Sequence, residues 1–407
     1  MTFPHPLPTL EALPFNLGSL AGVRAAGVAA GIKASGKPDV ALLVSDRPLS
    51  VAGVFTQNRY AAAPVLLSRA HLAKSGGKAR AFLVTSGNAN ACTGARGDED
   101  ARLLVGEVAR RVGCDPTEVL IAQTGVIGVE LPRERALAGV GAAFDALAHG
   151  DAAGRAFVEA IRTTDAFEKQ AAASVALGEV AAKVAGCCKG AGMIEPNMAT
   201  LLAFLGTDVA LDSAALGRLV ARVASQSFNA LHVDTHTSTN DSFFVFSTGE
   251  TPAPADLGPV EDALTKVAAR LAWLIARDGE GATKVATIRV AGATSDAAAD
   301  AIARRIATSA LVRTALFGND PNWGRIVSAV GNGPEVVDPR EVRCDLQGVT
   351  VFERGEPARF DKAALSAAMK AEDVAIRLDV GSGSGSAVLM TSDLGYRYVE
   401  VNAEYTT

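Results

Sequence analysis

The sequence predicts an α/β protein, because short apolar runs of strand length alternate with longer amphipathic stretches along most of its 407 residues. A hydrophobic content of 49% against 20% charged residues supplies enough apolar side chain for a large core. The sequence shows no repeat of fixed period and no long low-complexity linker. One layered unit is therefore expected.

The first half alternates apolar runs with glycine-rich breaks. Asp98 and Glu99 lie near the predicted N-terminus of a helix, where the helix macrodipole is positive, and apolar residues follow at Leu103, Leu104, Val108 and Val112. The predicted strands are residues 40–44, 51–55, 81–84 and 119–122, and the predicted helices are residues 98–112, 133–147 and 154–161.

The second half continues the alternation. The predicted strands are residues 201–205, 243–246, 285–290, 376–380, 387–390 and 396–401, and the predicted helices are residues 213–225, 260–275, 297–308 and 362–371. The glycine-serine segment 381–386 lies between two predicted strands. Its shortness favours a hairpin or an active-site loop over a domain boundary.

Composition narrows the class of partner. A formal charge of -5, with no dense Lys/Arg block, argues against nucleic acid and favours a small-molecule partner. The sequence has neither a secretory signal at its start nor a run of the ~20 apolar residues that a membrane helix needs, so a cytoplasmic location is expected. Five scattered cysteines do not suggest a disulfide framework, and the adjacent Cys187 and Cys188 are interpreted as buried small residues.

The central stretch 189–200 carries the most specific chemistry. Its glycines, proline and asparagine predict a tight connection, and the apolar run 201–205 follows, so Thr200 is placed where a loop enters a strand. A threonine hydroxyl needs an adjacent base, and a chain break after Ala199 would free the α-amino group of Thr200, whose reference pKa is about 7.7–8.0. Spacing alone leaves a purely structural threonine as the more common alternative.

The same stretch resembles the self-cleavage segment of the ornithine acetyltransferase (glutamate N-acetyltransferase) family of arginine biosynthesis. Blocks similar to that family extend along nearly the whole chain, at residues 85–94, 123–128, 238–241, 278–284, 318–325 and 402–407. Several blocks that agree in order are far more specific than any single glycine motif.

The resemblance implies a layered mixed α/β sandwich built jointly by two chains, 1–199 and 200–407, that arise by self-cleavage between Ala199 and Thr200. It implies a heterotetramer of two of each chain. The implied reaction moves acetyl from N2-acetylornithine to glutamate by a ping-pong route through acetyl-Thr200, with no cofactor and no metal. The motifs do not decide whether acetyl-CoA also loads Thr200, and of the two alternatives we favour a bifunctional enzyme that accepts it.

The resemblance also implies the site residues. Thr124 and Gly125 would form the oxyanion hole, a role that a Thr-Gly turn alone does not establish. Lys189 and Glu280 would bind the charged groups of the substrate. The remaining substrate contacts carried over are Thr163 or Thr164, Asn402 and Thr407. The stretch after Thr163 and Thr164 departs from the family pattern, because residues 166–169 lack the usual threonine and proline-lysine pair.

Two other functions stay open. A hydrolytic amidase or aminopeptidase would use the same nucleophile, with water taking the acyl group. A binding module would use residues 190–192 as a phosphate cradle, although no Gly-Lys-Ser/Thr follows them. His236 could suggest a base or a metal ligand, but the sequence has five histidines and no His/Cys cluster.

Self-cleavage predicts that the purified protein consists of two chains of nearly equal length, 1–199 and 200–407. Thr200→Ala should stay uncut and inactive because it lacks the hydroxyl, whereas Thr200→Ser should still be cut. Denaturing electrophoresis with intact-mass spectrometry measures this. A single uncut chain with full activity would contradict the free-amine mechanism.

Overall fold

The computed structural model describes residues 13–178, 180–195 and 201–404. Within these ranges the chain forms fifteen strands and eleven α-helices. The strands are β1 (Val23–Val28), β2 (Val40–Phe55), β3 (Lys78–Asn88), β4 (Val119–Val126), β5 (Lys169–Leu177), β6 (Val180–Lys189), β7 (Leu202–Val209), β8 (Leu231–His232), β9 (Ser242–Thr251), β10 (Val285–Ala293), β11 (Arg343–Leu346), β12 (Val349–Glu353), β13 (Glu356–Pro357), β14 (Asp373–Asp379) and β15 (Gly385–Ser392). The helices are α1 (Ala63–Lys74), α2 (Gly94–Val112), α3 (Arg133–Asp145), α4 (Asp151–Ile161), α5 (Ser213–Ser225), α6 (Gly258–Arg277), α7 (Asp296–Thr308), α8 (Ala310–Phe317), α9 (Trp323–Val330), α10 (Lys362–Ala368) and α11 (Tyr396–Glu404).

The first sheet has the strand order β4-β3-β2-β9-β7-β6-β5, with β1 paired to β2. The pairs β3/β4 and β7/β9 are parallel, and the other neighbours are antiparallel. Strand β2 is 16 residues long, and its register against β3 shifts between Val44 and Leu49. Residues before the shift pair with β1 and β3, whereas residues 50–55 pair with β9.

The first sheet folds over on itself at β2. Phe82 on β3 and Phe204 on β7 have ring centroids 5.8 Å apart, and the rings of Phe82 and Phe244 on β9 are 5.4 Å apart. Strands β3 and β7 are three positions apart, which corresponds to about 14 Å in a flat sheet. The two halves of the sheet therefore face each other as two layers, with these aromatic rings in the core between them.

Helices cover the outer faces of both layers. On α2, Leu104 and Val108 belong to the same buried cluster as Ile121 of β4, whereas Leu219 of α5 and Leu271 of α6 pack with the layer that contains β7. Because both faces of the strands are buried, the strands have continuous apolar runs. The prediction of a layered mixed α/β sandwich is confirmed.

The second sheet has the order β13-β12-β11-β14-β10-β15-β8. One of its faces packs on α6 and α7, so α6 lies between this sheet and strands β5 and β6 of the first sheet. Within the ranges that the structure describes, no helix has the length and apolarity required to cross a membrane.

Two sequence expectations are wrong. Residues 396–401, predicted as a strand, form the first part of helix α11. The aromatic and β-branched residues favour a strand, but this segment pairs with no strand of the two described sheets and forms a largely exposed helix. The segment 381–386 is not a hairpin, because it joins β14 and β15, which lie on opposite sides of β10. It crosses the end of β10, where Gly383 N donates to Gly292 O at 3.0 Å.

Candidate active site

A cavity of about 240 Å³ opens where the two layers of the first sheet meet. Its walls come from β4, from the end of β6, from the loop before β9 and from α11. The residues that line it are Ala89, Thr124, Gly125, Ile127, Thr163, Thr164, Lys189, Gly192, Met193, Asp234, His236, Ser238, Thr239, Asn240, Glu280, Tyr398 and Asn402. The structure thus brings together seven residues that the sequence proposed, namely Thr124, Gly125, Thr163, Thr164, Lys189, Glu280 and Asn402.

Thr124 and Gly125 lie near the end of β4, on the cavity wall. Gly125 has φ +133°, and a Cβ there would lie 2.3 Å from the carbonyl carbon of Gly87 on β3, so only glycine fits. Thr124 Oγ1 accepts a hydrogen bond from Lys189 Nζ at 3.1 Å. Because the hydroxyl oxygen already accepts a bond, its hydrogen is available to a second oxygen in the cavity.

Lys189 is the last residue of β6 and is 5% exposed. Burial lowers the pKa of its ammonium, and the nearby carboxylate of Asp165 acts in the opposite direction. A poorly solvated ammonium at a cavity wall is stabilised by an anionic ligand. The geometry therefore suits Lys189 to a substrate carboxylate.

Glu280 follows α6 and projects into the cavity. Its Oε2 accepts from Asn402 Nδ2 at 3.0 Å, and a Cβ on the facing Gly192 would lie 2.6 Å from the same oxygen. Helix α11 presents both Asn402 and Tyr398, four residues apart on one helix face, to the cavity. The missing side chain at Gly192 therefore leaves room for the carboxylate of Glu280, and the amide of Asn402 holds it in place.

A buried ion cluster lies beneath the cavity. Lys169 is fully buried, and its Nζ contacts Asp165 Oδ1 at 2.6 Å and Asp278 Oδ2 at 2.5 Å. Asp165 Oδ1 also accepts from Gly190 N at 2.7 Å, and its Oδ2 accepts from Thr163 N at 3.0 Å. The cluster thereby joins three wall segments: the threonine pair, the end of β6 and the turn that carries Glu280.

The charges of this cluster balance one another. Burial acts to raise the pKa of Asp165, but the positive charges of Lys169 and Lys189 hold that pKa below its ordinary value. Burial raises the pKa of Asp278, and Lys169 opposes that rise. An ionised pair of this kind persists in a protein interior only when each charge has close partners.

The segment that leads towards the Ala199-Thr200 junction is held by side chains from the second half of the chain. Asp234 accepts from Met193 N at 2.5 Å and from Ile194 N at 2.7 Å, and burial raises the pKa of its carboxyl. Glu195 Oε2 lies 2.6 Å from Nδ1 of the buried His232. These contacts fix the backbone up to residue 195.

The chain resumes at Leu201, whose N–H donates to Asp241 Oδ1 at 2.9 Å. Asp241 is fully buried, and burial raises the pKa of its carboxyl well above the usual range. One residue earlier, Asn240 Nδ2 donates to Ala89 O at 2.6 Å and to Gln123 O at 2.9 Å. The loop before β9 therefore anchors both the start of β7 and the strand end that carries Thr124.

Ala199, Thr200 and Thr407 lie outside the described residues, so their predicted roles stay predictions. His236 lines the cavity. In the described part of the chain, no group of three or more histidine, cysteine, aspartate or glutamate side chains could hold a metal ion. Cys187 and Cys188 are buried, and burial raises the pKa of both thiols, which suits the structural role expected of them.

Sequence reasoning missed several residues of the site. Lys169, Asp234 and Asp278 act through contacts with segments distant in the sequence, and Tyr398 lies on a helix that was interpreted as a strand. The signal available for Asp278 was its position in the family-like block 278–284 that holds Glu280, and Asp165 directly follows the carried-over Thr164. No spacing rule pointed to Asp234.

The cavity brings a threonine hydroxyl together with one ammonium and one carboxylate, an arrangement that suits an α/β enzyme of the acyltransferase class. Comparison with known proteins gives its family. The model of the ArgJ family matches residues 24–407. The chain therefore belongs to the ArgJ family.

Relatives match along nearly their whole length. The arginine biosynthesis bifunctional protein ArgJ of Rhodopirellula baltica is 44% identical over 394 residues, which cover 95% of this chain and 96% of that protein. The protein of the same name from Thermus thermophilus is 46% identical over 392 residues, which cover 95% and 98%. A crystal structure of ornithine acetyltransferase complexed with ornithine, from Mycobacterium tuberculosis, is 38% identical and covers 46% of this chain and 96% of that chain, with a TM-score of 0.41.

The buried cluster predicts a large stability loss in Lys169→Met. Without the ammonium, Asp165 and Asp278 are left as uncompensated buried carboxyls, which costs about 3–5 kcal/mol. The matched control is Lys266→Met, which removes a lysine paired with Asp262 on the surface of α6 and should cost less than about 1 kcal/mol. Denaturant unfolding at neutral pH compares the two variants.

The same cluster predicts how the stability of the protein changes with pH. The pKa of Asp165 is lower in the folded protein, so its stabilisation is present above the unfolded value of about 3.9 and is lost as pH falls through the folded value. Lys169→Met should therefore flatten the acid limb of the stability profile. A loss no greater than that of Lys266→Met would show that the cluster is not a stabilising link.

Proposed function

We propose that this protein transfers an acetyl group from N2-acetylornithine to glutamate in arginine biosynthesis. The observation that carries the proposal is the convergence of Thr124, Gly125, Lys189 and Glu280 on one small cavity. The names of the relatives in R. baltica and T. thermophilus and the ornithine bound in the M. tuberculosis enzyme support the same assignment.

The two charged side chains of the cavity match the two charged groups of acetylornithine. Acetylornithine carries an α-carboxylate and a distal ammonium, separated by an uncharged side chain. Lys189 provides the cation for the carboxylate, and Glu280 provides the anion for the ammonium. A volume of about 240 Å³ suits the reacting part of an amino-acid derivative.

We propose Thr200 as the nucleophile, freed by cleavage after Ala199. Its hydroxyl oxygen forms a bond to the acetyl carbon, and its proton passes to the Thr200 α-amino group. The bond from that carbon to the ornithine nitrogen then breaks, and the proton moves to the departing amine. Ornithine leaves, and the acetyl group remains as an ester on Thr200.

The second half-reaction reverses these bonds with glutamate. The glutamate amine attacks the ester carbon, the bond to the Thr200 oxygen breaks, and the proton returns to that oxygen. In both halves, negative charge develops on the carbonyl oxygen, where donors from Thr124 and Gly125 would contribute about 3 kcal/mol each. The ester stores the acetyl group, so the cycle needs no cofactor.

We further propose that acetyl-CoA loads the same threonine, a second donor reaction that would fit the word bifunctional in the names of the relatives. A two-chain product of 1–199 and 200–407, a heterotetramer of two of each, and a cytoplasmic location stay predictions.

Acetylornithine given alone should leave one acetyl group on the peptide that begins with Thr200. Rapid quench followed by peptide mass spectrometry measures the group, and parallel initial-rate lines accompany it in the full reaction. Addition of glutamate should then yield acetylglutamate. Free acetate as the main product would favour the hydrolase alternative, and an unlabelled peptide with intersecting lines would exclude the ester route.

Glu280→Gln keeps the shape and the acceptor for Asn402 but removes the charge. We expect at least a tenfold rise in KM for acetylornithine, because a charged contact to substrate is worth a few kcal/mol. Steady-state kinetics on protein whose cleavage state has been checked by mass gives the result. Glu356→Gln on the β13 hairpin is the matched control, and unchanged kinetics for Glu280→Gln would remove the ammonium-binding role.

A further inference from the structure

A second cavity, of about 460 Å³, adjoins the catalytic one. Thr163 lines both cavities, and Val126 of the second follows Gly125 of the first. The residues around the second cavity are Ile32, Lys33, Ala34, Ser35, Lys37, Gly87, Val126, Glu159, Arg162, Thr163 and Asp165. Three of these side chains are cationic, and the reaction proposed above uses none of the three.

Lys33 is held over this cavity by an ordered loop. The buried carboxylate of Asp39 accepts from three backbone N–H groups, those of Ala30 at 2.7 Å, Ile32 at 2.6 Å and Lys33 at 2.9 Å. The loop also packs closely on Gly87, where an added Cβ would lie 2.9 Å from Lys33 Cγ. The position of Lys33 is therefore fixed by the fold before any ligand arrives.

Arg162, which directly follows α4, also lines this cavity. Its side chain is 17% exposed, Nη1 pairs with Glu159, and Nη2 donates to Asp165 O at 2.8 Å. Its Nε is buried and has no hydrogen-bond partner among the described residues. The guanidinium is thus fixed in place and still has a donor to offer.

The carboxylates that line this cavity are already paired with other cations. Glu159 is engaged by Arg162, and Asp165 by Lys169. Within the part of the chain that the structure describes, no ion pair joins Lys33 or Lys37 to a carboxylate, and Lys33 Nζ donates to Pro38 O at 2.6 Å. Burial lowers the pKa of Lys33 to about 8, against the opposing effects of Asp39 and Glu159.

We propose that this second cavity binds the phosphate groups of a phosphate-bearing thioester donor, acetyl-CoA, while the acetyl end reaches the catalytic cavity past Thr163. Phosphate oxygens accept hydrogen bonds from several charged donors at once. A phosphate group therefore suits a cavity with two ammonium groups and a guanidinium better than a single carboxylate would. The catalytic cavity alone is too small for such a donor, whereas the adjoining cavity adds nearly twice its volume. The inference rests on the proposed acetyl transfer.

The test compares the two donors in the same variants. Lys33→Met and the double variant Lys33→Met/Lys37→Met should raise KM for acetyl-CoA about tenfold or more, and KM for acetylornithine should change less than about twofold. Lys370 is exposed, follows α10 and lines neither cavity, so Lys370→Met removes the same charge and should change neither constant. Calorimetric titration with CoA measures phosphate binding independently of turnover.

Lys33→Arg gives a second readout. Lys33 titrates near pH 8, so CoA binding to the wild type should weaken as pH rises through that value, whereas arginine keeps its charge and should remove the pH dependence. The charged groups around Lys33 are Asp39, Glu159, Asp165 and Lys189, with Lys37 and Arg162 on the same cavity. Burial also lowers the pKa of Lys189. The comparison of wild type with Lys33→Arg therefore shows which part of the pH dependence comes from Lys33 rather than from Lys189.

Each outcome of these experiments either supports or overturns the proposal. A rise in KM confined to acetyl-CoA supports the proposal, and equal losses with both donors overturn it by showing that these residues only support the catalytic cavity. A rise confined to glutamate overturns it in favour of a site for the distal carboxylate of the acceptor. Wild-type protein that makes acetylglutamate from acetylornithine but does not bind CoA overturns the cavity assignment alone. Wild-type protein that binds CoA through Lys33 but transfers acetyl from neither donor supports the cavity and overturns the proposed function.

Discussion

The 3.1 Å hydrogen bond from Lys189 to Thr124 joins two strands that are five positions apart in one sheet. In a flat sheet those strands would be separated by about 24 Å. The bond exists because the sheet turns back on itself at β2, with the rings of Phe82, Phe204 and Phe244 packed between the halves. The hydrophobic core that closes the sandwich thus also forms the cavity, and loosening of that core would separate Thr124 and Gly125 from Lys189.

Burial of so many charges in one region has an energetic cost. Lys189, Asp234 and Asp241 all have pKa values shifted towards the neutral form, with burial as the main cause. Such groups destabilise the fold unless partners compensate them. Asp234 and Asp241 are compensated by backbone N–H groups, and the ammonium of Lys189 by the carboxylate of Asp165, so the stabilising contacts also hold the cavity walls in position. Stability and preorganisation therefore rest on the same atoms.

The sequence predicted strands and helices best where burial is two-sided or amphipathic, as in residues 40–44 and helix α5, whose bounds agree at both ends. It did not find β5 and β6, which are rich in alanine and carry little strand propensity. Those strands exist because α6 and β7 cover them. The composition of α11 favours a strand, but the segment pairs with no strand of the described sheets and forms a helix instead.

The site residues also fall into two groups, those that the sequence could predict and those that it could not. Thr124, Lys189 and Glu280 could be proposed because their blocks resemble a family. Asp234 and Lys169 could not, because their importance lies in which distant backbone atoms they reach, and this depends on the folding over of the sheet. Sequence patterns report local structure and burial, whereas the supporting contacts of a site are set by tertiary packing.

The loop between β6 and β7 shows how a cut would leave the molecule whole. Strands β6 and β7 are neighbours whose ladder runs from Val184 to Lys189, so main-chain hydrogen bonds hold them together without the connection between them. The described ends of that connection are each held by a carboxylate from the second half of the chain, Asp234 on the side of Ile194 and Asp241 on the side of Leu201. Neither anchor depends on the covalent link that joins the ends. A break after Ala199 would therefore release an α-amino group without releasing either strand.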